Sequence, residues 1–156
     1  MSIFPSALPM DPSLTERESV IDVLHRAILA FDSADQTLLE SALTIDCTLD
    51  LDGFVLHGID DIIAKCYSPI SKLDTTHFAS NLRTNFRNNN KAQLTCSTLA
   101  QHFPESKGKE PHSQNFLGGT MYWLDLVKGN DSIWRISHWK LHVVWSQGEK
   151  SVLGYS

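Results

Sequence analysis

The first part of the chain carries hydrophobic residues at helical spacing. Between residues 20 and 31 they recur every three or four positions, which is typical of one buried face of an amphipathic helix. Ser13 and Thr15 are each followed three residues later by a glutamate, the pattern of a capping box. We therefore predict a helix over about residues 15–31, followed by a short link at residues 32–35.

A second helix is predicted through residues 38–43, with Ser33 or Asp35 as its cap. The pattern then changes, because apolar residues at positions 47, 49 and 51 alternate with polar ones. The Asp52–Gly53 pair that follows is a common two-residue turn between antiparallel strands. This segment is therefore predicted to form a hairpin.

After a short third helix at residues 58–67, the pattern from residue 74 onward is strand-like. Polar breaks divide this part of the chain into four long runs. Four consecutive long strands predict an antiparallel meander. The predicted strands are residues 75–87, 92–103, 116–127 and 133–145.

Helices followed by a long sheet predict an α+β fold, in which a curved antiparallel sheet wraps the N-terminal helices and leaves a cavity. Glycines at 118 and 119 followed by Thr120, inside a strand, predict a bulge that creates the curvature. Three prolines near the N-terminus forbid a continuous helix there. We expect a flexible arm at residues 1–12, one domain at 13–148, and a tail at 149–156.

The composition is that of a globular domain. The chain has 156 residues, 42% of them hydrophobic and 20% charged, which suffices for one core with a small-molecule cavity. The formal charge is −5, and the basic residues cluster only at 107–109, so no nucleic acid or anionic membrane partner is expected. No apolar run has the length of a membrane span, and no secretory signal is visible. We expect a cytoplasmic protein with a small-molecule substrate.

Carboxylates and imidazoles are the candidate reactive groups, because the chain has neither a phosphate-binding glycine loop nor a GxSxG nucleophile motif. Asp32 follows an apolar helical run, which would hold its carboxylate against apolar walls. The competing interpretation of Asp32 is a cap for the second helix. His77 opens the first long strand and His102 closes the next, so a hairpin would bring them together. The competing interpretation of His77 is a hydrogen-bonded strand histidine.

Simple alternation along the strands fits only one of these histidines. It puts His102 on the apolar face of its strand, but it puts Phe78, Leu82 and Phe86 on the face opposite His77. A bulge, or burial of both sheet faces, is needed to bring His77 into the core. No role is assigned to the other histidines, which are His25, His57, His112, His138 and His142.

The order of these residues resembles a known family. The segment Phe31-Asp32-Ser33-Ala34-Asp35, then His77-Phe78, then His102, resembles scytalone dehydratase in sequence and spacing. The segment from His77 to Arg83 is also similar to that of hexachlorocyclohexane dehydrochlorinase. The resemblance spans about residues 15–145 and identifies the chain as a member of the SnoaL-like (NTF2-like) superfamily.

This resemblance implies an NTF2-like cone without metal or organic cofactor, assembled as a homo-oligomer with a trimer favoured over a dimer. It also implies that Asp32, His77 and His102 are catalytic. His77 would take a proton from a carbon acidified by a carbonyl, while Asp32 orients and stabilises the imidazole. His102 would donate to the carbonyl oxygen or protonate the leaving hydroxyl.

The chain also departs from scytalone dehydratase. Phe31 and Leu51 stand where that enzyme has tyrosines that hold a catalytic water, and Gly118 and Thr120 stand near its pocket serine and asparagine. Scytalone is therefore not the expected substrate, and a cyclic, largely apolar secondary-metabolite intermediate fits better. The residues expected to line its pocket are Phe31, Leu51, Leu94, Thr120, Trp139 and Leu141.

Several functions stay open at this point. A cofactor-independent lyase, more specifically a dehydratase, is the leading hypothesis, and an isomerase or cyclase would use the same proton transfers. A non-catalytic small-molecule-binding module of the same fold is an alternative of another class. A third alternative is a metal site with two histidines and one carboxylate, formed by Asp32, His77 and His102.

Overall fold

The computed structural model describes residues 5–154. The predicted N-terminal arm, residues 1–12, and the predicted tail, residues 149–156, therefore lie partly outside the described residues. Within the tail segment, Lys150–Leu153 form a 3-10 helix whose last two side chains are buried. None of the described helices is long and apolar enough to cross a membrane.

The first helix, α1 (Glu16–Ser33), begins at the predicted capping box. The Thr15 hydroxyl accepts the backbone N–H of Glu18, and the Glu18 carboxylate accepts the backbone N–H of Thr15 at 2.8 Å. The helix ends at Ala34, whose left-handed backbone, with φ 53°, turns its N–H back onto the last carbonyls. The buried face of α1 consists of Val20, Val23, Leu24, Ala27, Ile28, Ala30 and Phe31.

The second helix, α2 (Gln36–Ala42), is capped by Asp35, whose Oδ1 accepts the backbone N–H of Leu38 at 3.0 Å. Ser33, the other predicted cap, instead donates its hydroxyl to a carbonyl of α1. Asp32 therefore caps neither helix, and its carboxylate is available for contacts outside them. The interpretation of Asp32 as a cap is wrong.

After the first two strands, the predicted third helix is a continuous helical segment of three parts. It consists of α3 (Ile59–Ile62), a π-helical turn (Ile63–Tyr67) and α4 (Ser68–Ile70). The segment was expected to end before Pro69, but it continues through it. The π-helical turn absorbs the proline because Ser68 donates to a carbonyl five residues back, and the next residue needs no N–H.

Six strands form one sheet in the order β2-β1-β6-β5-β4-β3. Their pairings are antiparallel except that β1 runs parallel to β6. The α+β prediction with a long meander is confirmed, and the sheet is mixed at this one pairing. The strands are β1 (Leu43–Leu51), β2 (Phe54–His57), β3 (Asp74–Asn88), β4 (Lys91–Phe103), β5 (Phe116–Lys128) and β6 (Trp134–Gly148).

A bulge in β3 resolves the conflict over the strand faces. The pairing with β4 shifts register between Ser80 and Arg83, and Asn81 within this interval has a left-handed φ of 55°. Because the shift exchanges the two faces, His77 and Phe86 both lie on the face of the sheet that packs on α1, called the inner face below. A second shift, between Gly119 and Thr120, stands where the glycine pair predicted a bulge.

Candidate active site

Asp32 and His77 meet at the end of α1. The Nδ1 atom of His77 lies 2.6 Å from Oδ1 of Asp32, and the two side chains are 10% and 17% exposed, respectively. The carboxylate also accepts the Thr75 hydroxyl at 2.8 Å and the backbone N–H of His77 at 2.9 Å. Three donors from one stretch of β3 therefore fix the position of the Asp32 carboxylate.

This contact determines which nitrogen of His77 is available for chemistry. A carboxylate only accepts hydrogen bonds, so Nδ1 of His77 is the nitrogen that carries the proton. In the neutral imidazole, Nε2 then holds the lone pair. A partly buried carboxylate behind an imidazole is the arrangement of a general base, because the carboxylate stabilises the imidazolium that forms after proton uptake.

His102 lies beside this pair, as the hairpin of the two strands predicted. Thr75 pairs with His102 and His77 pairs with Ala100 across β3 and β4. The two imidazole rings are 5.5 Å apart between centroids and nearly perpendicular, at 85°. Nδ1 of His102 is 3.1 Å from the backbone oxygen of Phe116, and a carbonyl oxygen only accepts. His102 therefore also directs its proton away from its neighbour.

The surroundings of His102 keep its imidazole neutral. Burial, and then the nearby His77, lower the pKa of His102 to about 4 from the ordinary value of 6.5. With Nδ1 donating to Phe116, the remaining Nε2 is a hydrogen-bond acceptor near neutral pH. The acceptor geometry of His102 differs from the donor role that the resemblance implied, because a neutral imidazole has one N–H only.

Aromatic rings enclose the histidines. Phe31, one of the expected pocket residues, lies 5.9 Å from the His77 ring and 5.4 Å from the ring of Tyr67. Phe116 packs against His102 at 5.9 Å. The sequence did not single out Tyr67 or Phe116. Phe116 was detectable in principle, since it opens the strand that pairs with the end of β4, whereas the π-helical turn that orients Tyr67 leaves no simple periodicity.

The other expected pocket residues divide into two groups. Thr120 pairs with Thr98 on the inner face, two residues beyond Gly118 on β5. Leu51 and Leu141 pair with each other across β1 and β6 and are partly buried. These residues continue the inner face away from the histidines.

Leu94 and Trp139 are placed differently. Both pair with Leu124 through neighbouring strands, and they are 0% and 3% exposed, respectively. Leu94 stands six residues along β4 from Ala100, which is about 20 Å in an extended strand. It belongs to the closed core and not to the surroundings of His77.

Surface depressions open at the other end of the sheet, away from these residues. The larger one is lined by residues that include Glu16, Phe86 and Lys128. The Glu16 carboxylate in this depression accepts hydrogen bonds from the Lys128 ammonium and the Trp134 indole N–H. The partly buried Asp32 and His77 and the buried His102 lie at the opposite end, so we regard that end of the sheet as the candidate site.

The three candidate residues are not arranged as a metal-ligand set. Asp32 and His77 bind one another, and Nδ1 of His102 is engaged with the Phe116 carbonyl. Within residues 5–154, no group of three histidine, cysteine, aspartate or glutamate side chains is placed to hold a metal ion. The geometry favours proton transfer over the two-histidine, one-carboxylate alternative.

Comparison with known proteins agrees with this architecture. A scytalone dehydratase-like protein from Novosphingobium aromaticivorans superimposes with a TM-score of 0.73 at 19% identity, covering 86% of this chain and 87% of that one. A hexachlorocyclohexane dehydrochlorinase of type 3 from Novosphingobium barchaimii gives 0.70 at 16% identity, covering 87% and 91%. Identities this low show a shared NTF2-like fold.

Sequence comparison identifies a more similar protein. Terrestric acid biosynthesis cluster protein E of Penicillium crustosum is 44% identical over 151 residues, which are 95% of this chain and 97% of that protein. Residues 12–140 match the SnoaL-like domain. The chain therefore belongs to the SnoaL-like domain family.

Proposed function

We propose that the protein is a cofactor-independent lyase, a dehydratase that acts on a cyclic, largely apolar secondary-metabolite intermediate. The observation that carries this proposal is the partly buried Asp32–His77 pair, in which Nδ1 is held by the carboxylate and Nε2 keeps its lone pair. Phe31 and Phe116 give the site apolar walls suited to a ring system. The name of the Penicillium crustosum relative places that protein in a biosynthetic cluster, which supports a role in secondary metabolism.

The proposed reaction begins with proton abstraction. Nε2 of His77 takes a proton from a carbon next to a carbonyl group, and Asp32 stabilises the imidazolium. The electron pair of the broken C–H bond forms a carbon–carbon double bond as the neighbouring C–O bond breaks. The departing hydroxyl takes the proton from His77 and leaves as water, so the base returns to its starting state. His102, neutral and accepting through Nε2, orients the hydroxyl by accepting its proton in a hydrogen bond.

The same base supports a second candidate function. If His77 returned its proton to another carbon, and not to a hydroxyl, the reaction would be an isomerisation; a cyclisation would use the same transfers. The observation that favours this alternative is that the one N–H of neutral His102 is engaged with the Phe116 carbonyl, so His102 does not protonate a leaving hydroxyl. A protein that binds the intermediate without changing it is the remaining alternative.

The test is an assay of the purified protein on bicyclic β-hydroxy ketones, with 3-hydroxy-1-tetralone as the first probe. Mass spectrometry follows the loss of one water, and NMR detects a product of unchanged mass. We expect water loss with the wild-type protein, and at least a hundred-fold slower reaction with His77→Ala or Asp32→Asn. A mass-neutral product would instead indicate the isomerase. Full activity in both variants would refute the lyase and the isomerase together, and a ligand bound unchanged from pH 5 to 9 would favour the binding module.

We also propose that the protein is a homo-oligomer, with a trimer favoured, and that the outer face of the sheet forms its contact. Phe78, Leu99, Gly119 and Trp145 form one row across β3 to β6 by pairing with their neighbours. The three side chains of this row are 59%, 44% and 44% exposed, in chain order, and Met121 beside them is 52% exposed. A contiguous apolar band of this kind supports self-association.

A further inference from the structure

The buried polar side chains of the described part of the chain lie on one strand face. They are Thr98, 4% exposed, and His102, 6% exposed. Both belong to the inner face of β4, two residues to either side of Ala100, which pairs with His77. His77 is therefore flanked by a polar group on each side, and only His102 has been given a role so far.

Thr98 is part of a cluster of three hydroxyl groups. Its hydroxyl contacts the hydroxyl of Thr120 and lies 3.5 Å from the Thr120 carbonyl oxygen. The phenol oxygen of Tyr122 lies beside both threonine side chains. Burial raises the pKa of Tyr122, so its phenol remains protonated and able to donate. Such a cluster is unusual in a face otherwise built of Cys96, Leu94 and similar apolar residues.

The cluster stands within reach of a molecule bound at His77. Thr98 is a diagonal neighbour of His77 across the β3–β4 pair, a separation of about 7–8 Å between backbone positions. Ala100 and Gly118 pair with each other beside it. A Cβ atom at Gly118 would meet only a ring carbon of Phe116, at 3.6 Å. The two small residues Ala100 and Gly118 therefore leave space beside His77, between the histidines and the hydroxyl cluster.

A further donor lies next to the cluster. The ring of Trp139 packs edge-on against Tyr122, with 5.5 Å between centroids. Its indole N–H is buried and has no hydrogen-bond partner among the described residues. A buried donor without an acceptor is costly, which is consistent with a wall that binds an oxygen atom brought in from outside.

We propose that the hydroxyl of Thr120, held in place by Thr98 and Tyr122, binds a carbonyl oxygen of the substrate. The inference rests on the proposed function and assigns the positions of its two oxygen atoms, with the carbonyl at the hydroxyl cluster and the hydroxyl at His102. Thr120, which is half-buried, donates to the carbonyl oxygen, while Thr98 and Tyr122 hold it in place. This donor acidifies the carbon facing His77 and stabilises the negative charge that the oxygen gains during proton abstraction.

The test compares a ketone with its matched hydrocarbon. Binding of 1-tetralone and of tetralin is measured calorimetrically on wild-type protein, on Thr120→Val and on Thr98→Val. We expect the wild type to prefer the ketone about ten-fold, and both variants to lose most of that preference. Thr95→Val is the control, because Thr95 is on the same strand but the opposite face, and it should keep the preference.

A second readout keeps the result clear if Thr98→Val folds poorly. The carbonyl stretching frequency of bound 1-tetralone should be lower on the wild type than on Thr120→Val, since hydrogen bonding weakens the C=O bond. His77→Ala should keep both the preference and the lowered frequency, which separates this inference from the proposed reaction. An equal ketone preference in wild type and Thr120→Val, or no preference in the wild type, would overturn the carbonyl subsite.

Discussion

At the scale of single residues, the Asp32 carboxylate is held by more donors than the sequence suggested. His77 contributes its ring and its backbone N–H, and Thr75 adds a hydroxyl at 2.8 Å. Hydrogen bonds to a charged group are among the stronger ones in proteins. We propose that Thr75 is a positioning residue, which acts on His77 only through Asp32.

Replacing Thr75 tests this role. Thr75→Val should lower kcat about ten-fold with little change in KM, since the carboxylate loses one of its donors but the pocket keeps its shape. Thr75→Ser should restore kcat, and Thr76→Val on the opposite strand face should behave as wild type. An unchanged kcat in Thr75→Val, or a change in KM alone, would contradict the positioning role.

His102 predicts a pH dependence of stability. Its pKa is lowered to about 4, mainly by burial, from an ordinary value of 6.5. The unfolded chain therefore takes up this proton first, so the free energy of unfolding falls as the pH is lowered from about 6.5 to about 4. The contribution of His102 is complete above that window and amounts to about 3 kcal/mol.

Urea unfolding at a series of pH values measures this contribution. His102→Asn keeps a donor for the Phe116 carbonyl but cannot titrate, so its unfolding free energy should fall less steeply with decreasing pH than that of the wild type. Carboxylates contribute equally in both proteins and cancel in the comparison. Equal slopes for the two proteins would show that His102 is not held neutral by the fold.

At the scale of secondary-structure elements, the bulge of β3 allows His77 and the later residues of the strand to share the inner face. His77 shares the inner face with Leu82, Thr84 and Phe86. Without the register shift at Asn81, these three residues would lie on the face opposite His77. Asparagine tolerates the left-handed backbone that this position requires, whereas β-branched residues do not. The side chain of Asn81 also donates to Ser97, at 3.4 Å.

Because position 81 requires a left-handed backbone, the effect of a substitution there depends on the residue introduced. Asn81→Val should lower the free energy of unfolding by about 1–2 kcal/mol, and Asn81→Gly should change it little. Chemical denaturation compares both with Asn85→Val, an exposed and extended position of the same strand. If Asn81→Val and Asn85→Val were equally stable, the backbone of the bulge would not be the constraint.

Much of the architecture could be predicted from the sequence, and the reasons differ by element. The capping box at Thr15 and the alternation of β4 are local signals, and both are confirmed. The parallel pairing of β1 with β6 is non-local, so the sequence pattern of neither strand predicted it. The sequence indicated that β3 needs a bulge or two buried faces, because simple alternation puts His77 on the face opposite the apolar residues. It did not indicate that the bulge is at Asn81.

The candidate site could be predicted from the sequence to a similar extent. Asp32, His77 and His102 were selected by order and spacing, and the structure brings them together. Thr75 and Thr98 were not selected, because a threonine in a strand is common and only strand pairing shows what it faces. Leu94 was wrongly placed near the site, since an alternating strand gives the face of a residue but not its distance from the end.

At the scale of the whole molecule, the proposed assembly through the outer face of the sheet can be tested. Light scattering after size exclusion should give a mass near three times the 17.5 kDa of one chain. The pair Leu99→Glu and Met121→Glu should shift the protein to one chain mass, because charges would be buried in the contact. Asn89→Glu, at the turn between β3 and β4, is the control. A wild-type protein of one chain mass would contradict the assembly.

The most direct test of the central claim, that His77 backed by Asp32 removes a proton from carbon, is hydrogen exchange in deuterated water. NMR would follow deuterium incorporation next to the carbonyl of 1-tetralone with wild-type protein, His77→Ala and the exposed control His57→Ala. We predict exchange well above the buffer rate for wild type and His57→Ala, and a rate near that of buffer for His77→Ala. Equal exchange by wild type and His77→Ala would contradict the claim.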